Sequence, residues 1–268
     1  MQLWQAASLG VVQGLTEFLP VSSSGHLVLA GWLLGMDAEN AGLTFAIVAH
    51  VGTALAVLAV YAADILDLLR RALAGGPSEG SRQARRYLLA LILASVPAAL
   101  AGGLFKETVA ASFDRPLPVA VALLVTGFIL YSADLRAPAT GRHTPIRWPQ
   151  ALLVGLAQAF AIFPGISRSG ATIATGLHAG VPRLEAARFS FLLSVPVILG
   201  AALLDLAGNP PEPAQLGSLL VGGLLAFASG LLAIKLVLAV LSRGRLRGFA
   251  YYCWGLSILA MSLLALGV

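Results

Sequence analysis

Six stretches of this chain are long, apolar and almost free of charge: Ala41–Ala63, Tyr87–Phe105, Pro116–Ala133, Phe189–Leu204 with its flanks, Leu216–Leu241 and Gly248–Val268. A helix that crosses a bilayer needs about 20 such residues, so each stretch predicts one transmembrane helix. None alternates apolar and polar residues with period two, which argues against barrel strands. Composition agrees. Hydrophobic residues make up 58% of the 268 and charged residues 11%, whereas a soluble domain carries roughly 25% charged residues to wet its surface. A cytosolic enzyme, a soluble nucleic-acid binder and a disordered chain are therefore excluded as classes. The single cysteine, Cys253, rules out an internal disulfide framework and a cysteine-rich metal site. No hydrophilic domain follows the first apolar stretch, so that stretch is not expected to be a cleaved signal peptide.

Two further apolar regions are interrupted. Met1–Phe18 runs into Pro20 and Ser22-Ser23-Ser24-Gly25-His26 before a second piece, Leu27–Gly35. Gln150–Phe163 runs into Pro164-Gly165-Ile166-Ser167-Arg168-Ser169-Gly170 before Ala171–Gly180. Proline, glycine and serine disfavour helix and supply loop hydrogen bonds, and each piece is too short to cross alone. The reading is a helix–loop–helix hairpin that enters the membrane and leaves on the same side. Irregular backbone at that depth is tolerated only where it is buried in protein or lines a wet cavity. The breaks also match each other. At an offset of 145 residues, Gly10, Gln13, Phe18, Ser22, Ser24, Gly25 and Gly31 meet Gly155, Gln158, Phe163, Ser167, Ser169, Gly170 and Gly176. A duplication is expected, with one hairpin and three spans in each half and the second half upside down relative to the first. The predicted architecture is an all-α integral membrane protein in one polytopic domain, residues 1–268. It is an inverted-topology repeat of six transmembrane helices plus two re-entrant hairpins. Repeat one covers about 1–135 with its hairpin at 1–36, and repeat two about 148–268 with its hairpin at 149–180.

Charge placement orients this path. Asp64–Arg86, Leu135–Trp148, Val181–Arg188 and Ser242–Arg247 are the alternate connections, and they hold thirteen of the seventeen Lys and Arg residues. That asymmetry marks them as cytoplasmic. Both termini and the mouth of the first hairpin then face outward. The net charge of +5 and pI near 9.9 are a cytoplasmic-loop effect, and no nucleic-acid partner is expected.

Ionisable groups within the bilayer are costly and mark function by default. Glu17, His26, His50, Arg168, His178 and Lys235 are the candidates. Lys235 lies near the cytoplasmic end of its span and is read as snorkelling. Asp64 and Asp205 fall at span ends, where interfacial water solvates them. His178 reads as structural, and His50 divides evenly between a site residue and a packing histidine. Glu17, His26 and Arg168 fall in or beside the breaks. Gln13 and Glu17, spaced i and i+4, share one helix face. Each break places serines at the start of a short helix, whose free N–H groups favour anions, and arginine adds a planar fork suited to phosphate. Two such ends with one guanidinium between them describe a phosphate pocket. A structural Glu17–Arg168 ion pair would account for the charges but for neither the serines nor His26. Ser, His and Glu also form a possible nucleophilic set, in which His26 accepts a serine proton and Glu17 orients His26 or binds a cation. Ser22, Ser23 or Ser24 could equally cap the second short helix.

The segments Val12-Gln13-Gly14-Leu15-Thr16-Glu17-Phe18-Leu19-Pro20-Val21-Ser22-Ser23-Ser24-Gly25-His26-Leu27 and Pro164-Gly165-Ile166-Ser167-Arg168-Ser169-Gly170-Ala171-Thr172-Ile173 closely resemble the two signature motifs of the undecaprenyl-diphosphate phosphatases of the bacitracin-resistance type. The likeness extends to Thr44–Ala56, to Phe189–Gly200 and to the span pattern. The resemblance implies a multi-pass enzyme of the bacterial inner membrane, its site open to the periplasmic side. Such an enzyme removes the terminal phosphate of undecaprenyl diphosphate and recycles the carrier lipid for cell-wall synthesis. It implies a divalent cation, magnesium or calcium, and a polyprenyl diphosphate substrate held among membrane lipids. A homodimer is compatible with the sequence. By motif position Glu17 matches the essential acid and is a candidate metal ligand, Ser23 matches the proposed nucleophile, His26 the essential histidine and Arg168 the phosphate-holding arginine. Gln13, Ser22, Ser24, Ser167, Ser169, Gly170 and Thr172 fall on supporting, phosphate-binding positions. Many members carry a second glutamate where this chain has Gln13, and glutamine cannot serve as a carboxylate ligand.

The mechanism expected from this set has His26 deprotonate Ser23, which attacks the terminal phosphorus. In the alternative chemistry His26 activates water and Ser23 only binds phosphate. A transporter or flippase of polyprenyl phosphate using the same pocket is the competing function, and a membrane scaffold leaves Glu17 and Arg168 without purpose.

Overall fold

The computed structural model describes residues 1–35, 43–74, 78–136, 146–208 and 210–267. Within them the chain is helical, in the order α1 Leu3–Phe18, α2 Ser23–Leu33, α3 Leu43–Val60, α4 Ala62–Leu73, α5 Glu79–Leu104, α6 Lys106–Ser112, α7 Pro116–Arg136, α8 Trp148–Phe160, α9 Arg168–His178, α10 Arg183–Gly208, α11 Leu216–Ser242 and α12 Arg247–Ala265. No strand occurs among the described residues. The protein is an all-α integral membrane protein. Helices α5, α7, α10, α11 and α12 are each long and apolar enough to cross a bilayer, and α3 joins them when counted with α4, from which it is bent by 70°.

That bend differs from the sequence expectation. The span read as Ala41–Ala63 begins partly outside the described residues and stops at Val60, and the segment from Asp64 onward is not a loop but the amphipathic helix α4. Asp64, Asp67, Arg70 and Arg71 lie on α4 among its leucines, so Asp64 belongs to this second helix and not to the end of a span. Asp205 lies in the last turn of α10, at the span end expected of it, but is buried by protein and not solvated by interfacial water.

The four pieces around the breaks are short. Helix α1 has 16 residues, α2 has 11, α8 has 13 and α9 has 11. At 1.5 Å per residue even α1 measures only about 24 Å, less than a hydrocarbon core of about 30 Å. Pieces of each pair pack on one another, α1 on α2 and α8 on α9. Each first piece then packs on a long helix of the opposite half: α1 against α11, α8 against α5. Helices α7 and α12 pair, as do α3 and α10, and α7 also touches both α2 and α9.

Small residues let these backbones approach. Lipid tails are as apolar as leucine, so helix association in a membrane rests on close van der Waals packing. Large side chains such as Leu100, Leu203, Leu224 and Ile258 accordingly point outward, while Ala94, Ala98, Ala226 and Ala233 are buried. A Cβ on Gly10 would run into the backbone of Gly222 on α11, and one on Gly155 into the backbone of Ala94 on α5. These two glycines are among the positions that match at the repeat offset. Gly10→Leu is therefore expected to cost about 1–3 kcal/mol, the usual range for overpacking. Gly255→Leu, where an added Cβ meets nothing within 4 Å, should cost nothing measurable. Thermal unfolding of the two variants in the same detergent makes the comparison, and equal melting temperatures would contradict the crossing described here.

Candidate active site

Helix α1 stops because Leu19, held extended by the following proline, leaves helical geometry at φ −64° and ψ 138°. The chain then turns sharply. Ser22 has φ +68°, the one positive φ outside glycine among the described residues, a backbone conformation that costs energy and concentrates at functional sites. Its hydroxyl accepts the Gly25 N–H at 3.3 Å and so caps α2. The second break repeats this construction, with Ser167 capping α9 by accepting the Gly170 N–H at 3.0 Å. In both breaks the capping serine pairs with the serine two residues on, Ser22 with Ser24 at 3.4 Å and Ser167 with Ser169 at 3.3 Å.

The breaks meet. A Cβ on Gly25 would lie 3.1 Å from the Gly165 Cα, and the Ser169 hydroxyl donates to the Leu19 carbonyl at 3.2 Å. Thr126 of α7 braces the second break, donating to the Gly165 carbonyl at 2.8 Å and accepting the Ser167 N–H at 3.0 Å. Ser23 and Arg168 thereby become the first residues of α2 and α9. They are equivalent at the 145-residue offset, so the two halves place a hydroxyl and a guanidinium at corresponding helix starts. The remaining correspondence fails where chemistry is concentrated: Ile162 stands opposite Glu17, and Ala171 opposite His26.

Glu17 is the hub. It is 5% exposed, and its carboxylate is surrounded by donors. Oε1 pairs with Arg168 Nη2. Oε2 accepts the Gln13 amide at 2.9 Å and the Ser23 hydroxyl at 2.5 Å, and His50 Nε2 stands 3.3 Å away. Arg168 is held from behind, its Nη1 donating to the Ser190 carbonyl at 3.1 Å. Thr172 steadies that contact from α9, with its hydroxyl 2.6 Å from Ser190 Oγ and 2.7 Å from the Arg168 carbonyl. Glu17, Arg168, Gln13 and Ser23 are thus brought together, with Thr172 supporting. Ser22, Ser24, Ser167, Ser169 and Gly170 shape the two helix starts and make no hydrogen bond to the Glu17 carboxylate.

The sequence leads one to expect His26 to take the proton of Ser23; in the structure the Ser23 hydroxyl donates its hydrogen bond to Glu17 Oε2. His26 turns both ring nitrogens elsewhere: Nδ1 lies 2.7 Å from the Ser22 carbonyl and Nε2 lies 2.8 Å from the Tyr252 hydroxyl. His178 bonds Ser132 of α7 at 3.2 Å, away from Glu17, as its structural reading expected. Sequence reasoning left His50 undecided and passed over Ser190, Thr126 and Tyr252. A serine or threonine inside an apolar span is a weak signal, since its hydroxyl can bond its own helix.

A divalent cation can be tested against these side chains. Among the described residues no cluster of three His, Cys, Asp or Glu forms. The Gln13 amide, however, gives its N–H to Glu17 and leaves Oε1 buried with no hydrogen-bond partner. One carboxylate beside one orphaned amide oxygen fits a magnesium-type ion that takes its remaining oxygens from phosphate and water. It does not fit a cage built wholly of protein.

A helical membrane protein that aims a hydroxyl, a carboxylate and a guanidinium from two facing helix breaks has the parts of a membrane-embedded phosphoryl-handling enzyme. The chain belongs to the bacitracin resistance protein BacA family, whose profile matches residues 6–259. An undecaprenyl-diphosphatase of Korarchaeum cryptofilum is 42% identical over 269 residues, covering 98% of this chain and 100% of the relative. Those of Halothermothrix orenii and Salinibacter ruber are each 40% identical, covering 98% of this chain and 98% and 100% of the relatives.

Proposed function

We infer that this chain is an undecaprenyl-diphosphatase, a membrane hydrolase that converts undecaprenyl diphosphate to undecaprenyl phosphate and inorganic phosphate. Family membership and the relatives' activity support the reaction. The observation that carries the mechanism is the Ser23 hydroxyl donating to Glu17 Oε2 at 2.5 Å while Arg168 pairs with the other carboxylate oxygen. The relatives are diphosphatases, which favours an enzyme over a transporter using the same pocket.

The diphosphate enters from the outer leaflet, with the prenyl chain left among lipid. The unused N–H groups of the Arg168 fork, together with the N–H groups opening α2 and α9, bind the terminal phosphate and stabilise charge on its equatorial oxygens. Ser23 Oγ attacks the terminal phosphorus, the bond to the bridging oxygen breaks, undecaprenyl phosphate leaves, and the hydroxyl proton passes to Glu17. Water then attacks the phosphoserine. The phosphorus–Oγ bond breaks, Ser23 recovers its proton from Glu17, and the proton of the water goes to His26, one turn along α2. Glu17 and Gln13 Oε1 would hold a divalent cation, which supplies charge neutralisation to the diphosphate when bound.

The basic connections lie on the cytoplasmic side, which opens the first hairpin to the periplasmic face of the inner membrane. The exchange of partners between halves, α1 with α11 and α8 with α5, supports two inverted repeats whose hairpins enter from opposite faces. Recycling of the carrier lipid for peptidoglycan synthesis, and resistance to bacitracin, follow from the reaction.

Phosphate release from undecaprenyl diphosphate by the purified protein in detergent tests the reaction. Release is expected with magnesium or calcium, falling by about tenfold or more under excess EDTA and returning when cation is restored. A preparation that releases no phosphate with either cation contradicts the assignment. Undiminished release in EDTA contradicts the cation.

A further inference from the structure

Tyr252 projects from α12 toward His26 and is 48% exposed. Among the described residues the one hydrogen bond of the Tyr252 hydroxyl is to His26 Nε2, at 2.8 Å, and the two rings lie parallel within 1° with centroids 5.6 Å apart. The other side of the imidazole is equally constrained. Nδ1 faces the Ser22 carbonyl at 2.7 Å, and a carbonyl only accepts, so Nδ1 carries the proton and Nε2 presents its lone pair to the tyrosine hydroxyl. That carbonyl belongs to the residue held at φ +68°, so its direction is set by the same strained turn that caps α2.

We propose that Tyr252 is a clamp and relay for the hydrolytic half of the reaction: its hydroxyl holds Nε2 of the Nδ1–H tautomer that Ser22 sets, and passes to it the proton of the attacking water. This rests on the phosphatase reading and adds a residue to it. Ser22 and Tyr252 hold the ring from opposite sides, as the orienting group does in nucleophile–base sets where the base is itself held by a third residue. Because Ser23 is deprotonated by Glu17, formation of the phosphoserine does not depend on the clamp. Its hydrolysis does. The attacking water gives its proton to the tyrosine oxygen as the tyrosine hydroxyl gives its own to Nε2, so the clamp stays in place through the step. Loss of the clamp therefore slows the second step and leaves the first intact.

Tyr252→Phe keeps the ring and removes the hydroxyl. The expected result is a fall in kcat of about tenfold, the equivalent of one lost orienting hydrogen bond, with KM changed less than about twofold. Acid-quenched steady-state samples should hold more phosphoserine than wild type, because formation outpaces hydrolysis. A packing defect would slow both steps and would not raise the phosphoserine fraction. In a His26→Gln background the same substitution should cause no further loss, since Tyr252 acts only through His26. Wild-type kcat in Tyr252→Phe, or losses that multiply in the double variant, overturns the proposal while leaving the phosphatase reading untouched. Wild-type protein that releases no phosphate defeats that reading itself, so the two failures are distinct.

Discussion

Arg168→Ala is expected to lower kcat/KM by about 10^3-fold or more, the range found when an arginine is removed from a phosphoryl-transfer site. Two losses combine. The phosphate loses the donor fork, and Glu17 keeps a negative charge in a buried place with its main counter-ion gone. Breaking a buried ion pair from one side costs about 3–5 kcal/mol, so this variant should also melt earlier in detergent. Arg168→Lys is not expected to recover activity. The native side chain spans Glu17 with Nη2 and the Ser190 carbonyl with Nη1, and a single ammonium cannot hold both in that plane. Phosphate-release kinetics and a melting curve on the same preparations check the pair. An Arg168→Ala variant within tenfold of wild type would mean that the helix starts alone bind the phosphate.

Ser23→Ala is expected to abolish turnover, with a loss of about 10^3-fold or more, as for removal of a nucleophile. Its effect on stability should be small. The Ser23 hydroxyl bonds Glu17 Oε2, and that oxygen keeps the Gln13 amide and has His50 nearby. Ser22→Ala and Ser24→Ala have the opposite profile. Ser22 caps α2, so its loss should cost about 1 kcal/mol of stability and far less activity. Ser24 meets only the Ser22 hydroxyl among the side chains described here. Three adjacent serines, indistinguishable by composition, are thus separated by what each touches. Near-normal turnover in Ser23→Ala would remove the covalent step and leave His26-activated water as the chemistry.

The breaks were readable because proline, glycine and serine stand out in a chain with so little polarity, and their matching pattern made the two construction sites visible as one motif used twice. Spans were readable for the same reason. Helix α4 was not, because its charges resemble a cytoplasmic loop until the 70° bend after Val60 shows that Leu66, Leu69 and Leu73 form one exposed face of a separate helix. The partners of Glu17 divide similarly. Gln13 shares its helix face by spacing, but Ser23 reaches it across the turn, Arg168 from 151 residues away and His50 from α3. Which acceptor Ser23 finds depends on the strained turn at Ser22, and no spacing rule encodes that angle. His26 follows Ser23 closely enough in sequence to suggest a Ser–His pair, yet the helix carries its ring round to Tyr252.

A phosphoserine at Ser23, formed as Glu17 takes the hydroxyl proton, is the intermediate proposed for turnover. Rapid acid quenching of the protein during turnover of undecaprenyl diphosphate labelled in its terminal phosphate, followed by peptide mapping, addresses it directly. Label is expected on Ser23, disappearing on chase with unlabelled substrate and absent from Glu17→Gln. Full turnover with no label on Ser23 at any quench time, in wild type or in Tyr252→Phe, would contradict it.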